Sequence, residues 1–241
     1  MNIIICETYE KMSKAAAMVI AAQVITKPDS VLGLATGATP LGAYAELARL
    51  NREGSLDFSH VKTFNLDEYL GVDGANNQSY RYFMMENLFT KTNINVENTK
   101  LLDGLTENPE KECALFEELI DFSGGIDIQL LGIGNNGHIG FNEPDSHFPM
   151  ATHLVKLAES TIEANSRFFK NTEEVPKFAL TMGIGTIMKA RKILVLASGE
   201  KKADIIRELM LGDVKPQTPG SILRFHRDVT VITDRAAGAK V

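Results

Sequence analysis

The segment Val31-Leu32-Gly33-Leu34-Ala35-Thr36-Gly37-Ala38-Thr39-Pro40-Leu41-Gly42 carries the fold in miniature. An unbroken apolar run of β type ends at a turn of glycine and hydroxyl residues. A stretch with helical spacing, containing Tyr44, Leu47 and Leu50, follows at once. A strand without polar alternation needs both faces covered, as in a parallel sheet flanked by helices. The same unit recurs in both directions along the chain. Apolar runs stand at residues 3–6, 31–35, 61–65, 126–133, 193–197 and 229–233, and helical spacing fills 9–25, 41–53, 79–89, 109–120 and 201–211. This order predicts an α/β protein built on an open, doubly wound, mostly parallel sheet with helices on both faces (Rossmann-like). No composition shift, Ser/Gly linker or internal repeat divides the chain, so one domain is expected over residues 1–241.

The 241 residues, 44% of them hydrophobic and 23% charged, suffice for a core without covalent staples. Cys6 and Cys113 are far apart and belong to no C-x-x-C motif, which argues against a disulfide framework or zinc site and for a reducing, cytoplasmic setting. No 18-residue apolar run occurs, and Met1-Asn2-Ile3-Ile4-Ile5 reads as an opening strand rather than a signal peptide. The net charge is −6 and no basic stripe is present, so neither nucleic acid nor membrane is an expected partner.

In open α/β sheets ligands bind beyond the carboxyl ends of the strands. The turn at Gly37, Ala38 and Thr39 therefore matters: Gly37 permits positive φ, Thr39 can cap the next helix, and Pro40 suits its first position. Free amides at a helix start beside two hydroxyls form an anion site, though a well-capped turn would look the same. The turn is neither a Walker loop nor G-x-G-x-x-G. After the run 193–197, Lys202 can supply a cation, and Arg167 in Glu163-Ala164-Asn165-Ser166-Arg167-Phe168-Phe169 can grip a phosphate or simply cover an aromatic neighbour.

Two loops carry acid–base chemistry. Phe64-Asn65-Leu66-Asp67-Glu68-Tyr69 sets two carboxylates side by side, of which one at most faces a cleft. Burial among Phe64, Leu66 and Tyr69 would raise the pKa of Asp67 toward a useful value for a base, whereas a plain helix N-cap is its alternative role. Gly134-Asn135-Asn136-Gly137-His138-Ile139-Gly140-Phe141-Asn142-Glu143-Pro144 brings His138 within reach of an orienting carboxylate at Glu143. A metal held by His138, Glu143 and His147 is the other reading, but the spacing matches no zinc pattern, and neither metal nor cofactor is expected.

Together these segments, with the stretch Ala179-Leu180-Thr181-Met182-Gly183-Ile184-Gly185-Thr186, resemble glucosamine-6-phosphate deaminases over nearly the whole chain. The resemblance implies conversion of glucosamine 6-phosphate and water to fructose 6-phosphate and ammonia, in amino-sugar catabolism, without a cofactor. It implies Asp67 as the base at C2, and His138 with Glu143 and Asn136 as the ring-opening group. It also implies Gly37, Ala38, Thr39, Arg167 and Lys202 as the phosphate site. Some members carry Asp where this chain has Asn136, and an amide lends His138 no negative charge, which leaves Glu143 alone in that role. Larger allosteric members have a basic cluster after the histidine loop and a longer C-terminus. Met150-Ala151-Thr152-His153-Leu154-Val155-Lys156 has one Lys and no Arg, and the chain ends at Val241. A non-allosteric monomer or small homo-oligomer is therefore expected. Rival readings are a 6-phosphogluconolactonase, a galactosamine-6-phosphate enzyme and a non-catalytic sugar-phosphate sensor.

Overall fold

The computed structural model describes residues 1–158 and 175–241. In chain order these form β1 (Asn2–Cys6), α1 (Tyr9–Thr26), β2 (Val31–Leu34), α2 (Leu41–Arg52), β3 (Lys62–Asn65), β4 (Asp67–Tyr69), α3 (Tyr80–Asn87), β5 (Thr99–Lys100), α4 (Pro109–Phe122), β6 (Ile128–Gly132), β7 (His153–Lys156), β8 (Phe178–Thr181), α5 (Ile184–Met188), β9 (Lys192–Ala197), α6 (Ala203–Leu211) and β10 (Val229–Asp234), with short 3-10 turns between some of them. Seven strands pair in the order β1-β10-β9-β6-β2-β3-β5, and every pairing is parallel.

The central strands are apolar because both faces are covered. β2 is buried throughout, and β9 is buried except at Lys192. Phe64 on β3 meets Phe116 of α4 edge to face at 5.5 Å. Helix α1 starts where the Thr8 side chain accepts the amide of Lys11, and its buried face of Met12, Ala16, Ala17, Ile20, Ala21 and Val24 follows the helical repeat. Helix α4 starts at Asn108, whose side chain accepts the amide of Lys111, with Pro109 in the first turn.

The apolar runs and helical stretches stand in the predicted order on a mostly parallel sheet; a small sheet was not foreseen, and two caps and two helix bounds are corrected. A second sheet of three strands, β4-β8-β7, is antiparallel. Its strands are only three or four residues long, and β4 is Asp-Glu-Tyr, so no apolar run announced them. Asp67 is accordingly a strand residue and caps no helix. Thr39 is not the cap of α2 either: Pro40 holds that position, and α2 has no side-chain cap bond. The stretch from residue 201 begins as a 3-10 turn, Glu200–Lys202, and the expected helix 79–89 ends at Asn87 before a second such turn.

One residue joins the two sheets. The Leu66 amide donates to the Leu34 carbonyl of β2 at 3.0 Å, and the Leu66 carbonyl accepts the Met182 amide just past β8 at 2.7 Å. The small sheet is thereby fixed at the C-terminal edge of the large one.

Candidate active site

Strands β9, β6, β2 and β3 are neighbours and run parallel, so the loops after them share one edge. From β2 the chain continues to its neighbour β3, and from β6 to its neighbour β9 on the other side. A crevice opens where those directions part. In strand order the edge carries Lys202, the histidine loop, the Gly37 turn and Asp67.

Gly37 has φ 100°, and a Cβ there would meet nothing, so glycine is required by the backbone path alone. Both backbone groups of Ala35 are held by the buried Tyr44 hydroxyl, which receives its amide at 3.2 Å and donates to its carbonyl at 2.6 Å. Beyond that anchor, among the described residues, the amides of Gly37, Ala38 and Thr39 meet no acceptor. Gly37 and Ala38 are exposed. Three free donors at the start of α2 are an arrangement that suits an anion.

Asp67 is 7% exposed. Burial, with a smaller contribution from the like charge of Glu68, pushes its carboxyl up to about 8. A carboxyl so placed exchanges protons near neutrality, which a solvated aspartate does not. Glu68, on the opposite side of the pleat, is a structural acceptor: it takes the amides of Tyr69, Tyr80 and Arg81, each at 2.9 Å, and so ties β4 to the first turn of α3. Only one of the adjacent carboxylates is therefore available to a ligand. The rings of Tyr69, Tyr80 and Phe141 pack together near it, with centroids 4.8 to 6.1 Å apart. Burial, with smaller contributions from Tyr69 and then from the charge of Asp67, pushes the Tyr80 hydroxyl well above its usual range.

In the loop after β6, His138 Nδ1 lies 3.3 Å from Glu143 Oε2. Asn136 Nδ2 donates to the same oxygen at 2.6 Å, while Asn136 Oδ1 accepts the His138 amide at 3.2 Å. The amide at position 136 thus orients the carboxylate that faces the imidazole. Gly134 donates its amide to the His138 carbonyl at 2.9 Å, and a Cβ there would fall 2.3 Å from the imidazole Cε1. Gly140, at φ 57°, passes Asp67 closely: its missing Cβ would lie 3.7 Å from Asp67 Oδ2 and 2.8 Å from Thr181 Oγ1. Asn142 Nδ2 then fastens the loop by donating to the carbonyls of Ile139 and Met182, both at 2.8 Å.

Lys202 reaches the same loop, donating from Nζ to the Ile133 carbonyl at 2.6 Å, and burial lowers its pKa. Arg167 lies outside the described residues. His147 pairs with Asp145 at 3.6 Å in an exposed position, apart from His138 and Glu143. Among the described residues no group of three His, Cys, Asp or Glu side chains could hold a metal ion. Thr181, Tyr80 and Tyr9 join the site through partners on other elements, so no sequence motif marks them. The capping serine before Tyr80 was the only local signal among them.

Residues 7–232 match the family model described as glucosamine-6-phosphate isomerases/6-phosphogluconolactonase. The chain is 55% identical over 241 residues to a protein of Clostridioides difficile (strain 630) named glucosamine-6-phosphate deaminase, covering 100% of this chain and 97% of that one. A protein of Clostridium acetobutylicum with the same name is 57% identical over 237 residues, covering 98% of both. A solved structure described as a monomeric glucosamine-6-phosphate deaminase superposes with a TM-score of 0.97 at 44% identity, over 100% of each chain. The 6-phosphogluconolactonase of Leishmania guyanensis superposes at 0.76 with 23% identity, over 100% of this chain and 98% of that one, and shares the fold.

Proposed function

The chain belongs to the family of glucosamine-6-phosphate isomerases and 6-phosphogluconolactonases, and on that premise we propose that it takes glucosamine 6-phosphate and water to fructose 6-phosphate and ammonia. The observation that carries this reading is the pairing of a buried carboxyl at Asp67 with a separate His138–Glu143 couple on the same edge of the sheet.

The sugar's phosphate rests on the amides of Gly37, Ala38 and Thr39, with Lys202 adding positive charge despite the net charge of −6; Arg167, outside the described residues, is a second cation by the family resemblance alone. His138, oriented by Glu143 and Asn136, moves a proton between O1 and O5, so the ring opens to the aldehyde. Asp67 removes the proton from C2, the electron pair left there forms the C1–C2 double bond, and the C1=O pair moves to O1, which takes a proton to give the enolamine. Return of a proton to C1 gives the 2-imine. Water adds to the imine carbon, nitrogen leaves as ammonia, and the ketone of fructose 6-phosphate remains. The sequence is redox-neutral overall: one C–O bond of the ring and the C2–N bond break, water supplies the ketone oxygen, and each step is served by proton transfer. The reaction belongs to amino-sugar catabolism.

Lactone hydrolysis does not require removal of the C2 proton, and solved lactonases of the same fold stand at much lower identity. The chain acts as a single catalytic domain and as a monomer, a reading supported by the full-length match to the monomeric relative. Among the described residues no helix is long and apolar enough to cross a membrane, and we place the reaction in the cytoplasm. The test is to incubate the protein with glucosamine 6-phosphate and assay ammonia and fructose 6-phosphate. Equal amounts of both are expected. Neither product, together with hydrolysis of 6-phosphogluconolactone, would transfer the protein to the lactonases.

A further inference from the structure

Helix α2 begins at the anion cradle yet has no capping side chain of its own. The group that serves its first turn comes from another helix. Tyr9, the first residue of α1, accepts the amide of Gly42 on its hydroxyl at 2.9 Å. The same hydroxyl donates toward the carbonyls of Ala38 at 3.1 Å and Thr39 at 3.2 Å. A helix start leaves its first amides without intrahelical partners, and an oxygen that receives one of them does the work of an N-cap.

The packing is shaped for this contact. A Cβ on Gly42 would stand 2.3 Å from Ser13 Oγ and 3.1 Å from the Tyr9 ring, so a glycine at that position lets α1 approach the start of α2. The consequence for the cradle follows from peptide geometry. In a planar trans peptide the carbonyl and the next amide point in opposite directions. Drawing the Ala38 carbonyl toward Tyr9 turns the Thr39 amide away from Tyr9, and that amide is one of the three free donors.

We propose that Tyr9 is a positioning residue of the phosphate cradle: its hydroxyl supplies the cap that α2 lacks and holds the Ala38–Thr39 peptide so that the free Thr39 amide stays aimed at an anion. The inference rests on the assignment of the Gly37–Thr39 turn to the sugar's phosphate.

The test is Tyr9→Phe, which keeps the ring and removes the hydroxyl, with inorganic phosphate as a competitive inhibitor beside steady-state kinetics. The KM and the inhibition constant of phosphate should both rise about five- to tenfold, with kcat changed less than either. A variant that loses thermal stability but keeps wild-type KM and phosphate inhibition would overturn the role of Tyr9, which would then be structural alone. The assignment of the turn is tested separately with wild-type protein and Gly37→Val, which blocks the positive φ. If phosphate does not compete in wild type, or competes equally in Gly37→Val, the cradle lies elsewhere and the proposal for Tyr9 falls with it. If Gly37→Val weakens phosphate and Tyr9→Phe does not, the cradle stands and Tyr9 is excluded.

Discussion

Asp67 and Thr181 face each other across the antiparallel pair of β4 and β8, and the Thr181 hydroxyl accepts the amide of Phe141 from the histidine loop at 3.1 Å. Asp67 and the His138 loop are thus held by one residue pair. Asn142 adds a second tie from that loop to Met182, directly after Thr181. Two acid–base groups that act in succession on one sugar need such fixed spacing, because small displacements of reacting groups cost large factors in rate.

The protonation of Asp67 should set the acid side of the pH profile. Its carboxyl is pushed up to about 8, and a base must be ionised to act, so kcat/KM should rise with pH and approach its plateau above that value. Stability should run the other way. The folded-state pKa lies above the ordinary 3.8, so between those values the folded chain holds a proton that the unfolded chain has released. That contribution to stability is whole below about 4 and is lost as pH rises through about 8. Melting curves of wild type and Asp67→Asn should therefore diverge with rising pH, the variant being the more stable by a few kcal/mol, as an order of magnitude, at pH 9.

Replacing Glu68 by Gln should move that acid limb toward lower pH. The substitution removes the like charge beside Asp67 and leaves one oxygen where two had received the amides of Tyr69, Tyr80 and Arg81. A loss of about 1–3 kcal/mol of folding stability should accompany the shift. An unmoved pH profile would show that Glu68 serves the fold alone.

Gly134→Ala tests the seat of the imidazole. The added methyl would fall on the His138 ring, so the ring must turn away from Glu143. A fall of about a hundredfold in kcat is expected, with melting temperature nearly unchanged. Wild-type turnover would mean that the ring orientation is immaterial.

Much of this arrangement was legible in the chain before any coordinates. The buried strands announced themselves through continuous apolar runs, and the rule for open α/β sheets directed attention to the Gly37 turn, Asp67 and the His138 loop. The small sheet was not legible, because β4 and β7 are short and polar and find their partner β8 far along the chain. For the same reason Asp67 read as a possible cap rather than a strand residue. Tyr9 was invisible as well: its hydroxyl acts on residues 29 to 33 positions away, and only folding brings them together. The cap expected from Thr39 was a correct sense of where α2 begins with the wrong donor of the oxygen.

The account turns on Asp67 as the group that takes the C2 proton, and the direct measurement is the turnover of glucosamine 6-phosphate by Asp67→Asn, beside its binding of fructose 6-phosphate by calorimetry. The account predicts a loss of about 10²–10⁴-fold in ammonia release with product affinity close to wild type. Ammonia release within a fewfold of wild type, from protein that binds fructose 6-phosphate normally, would contradict it.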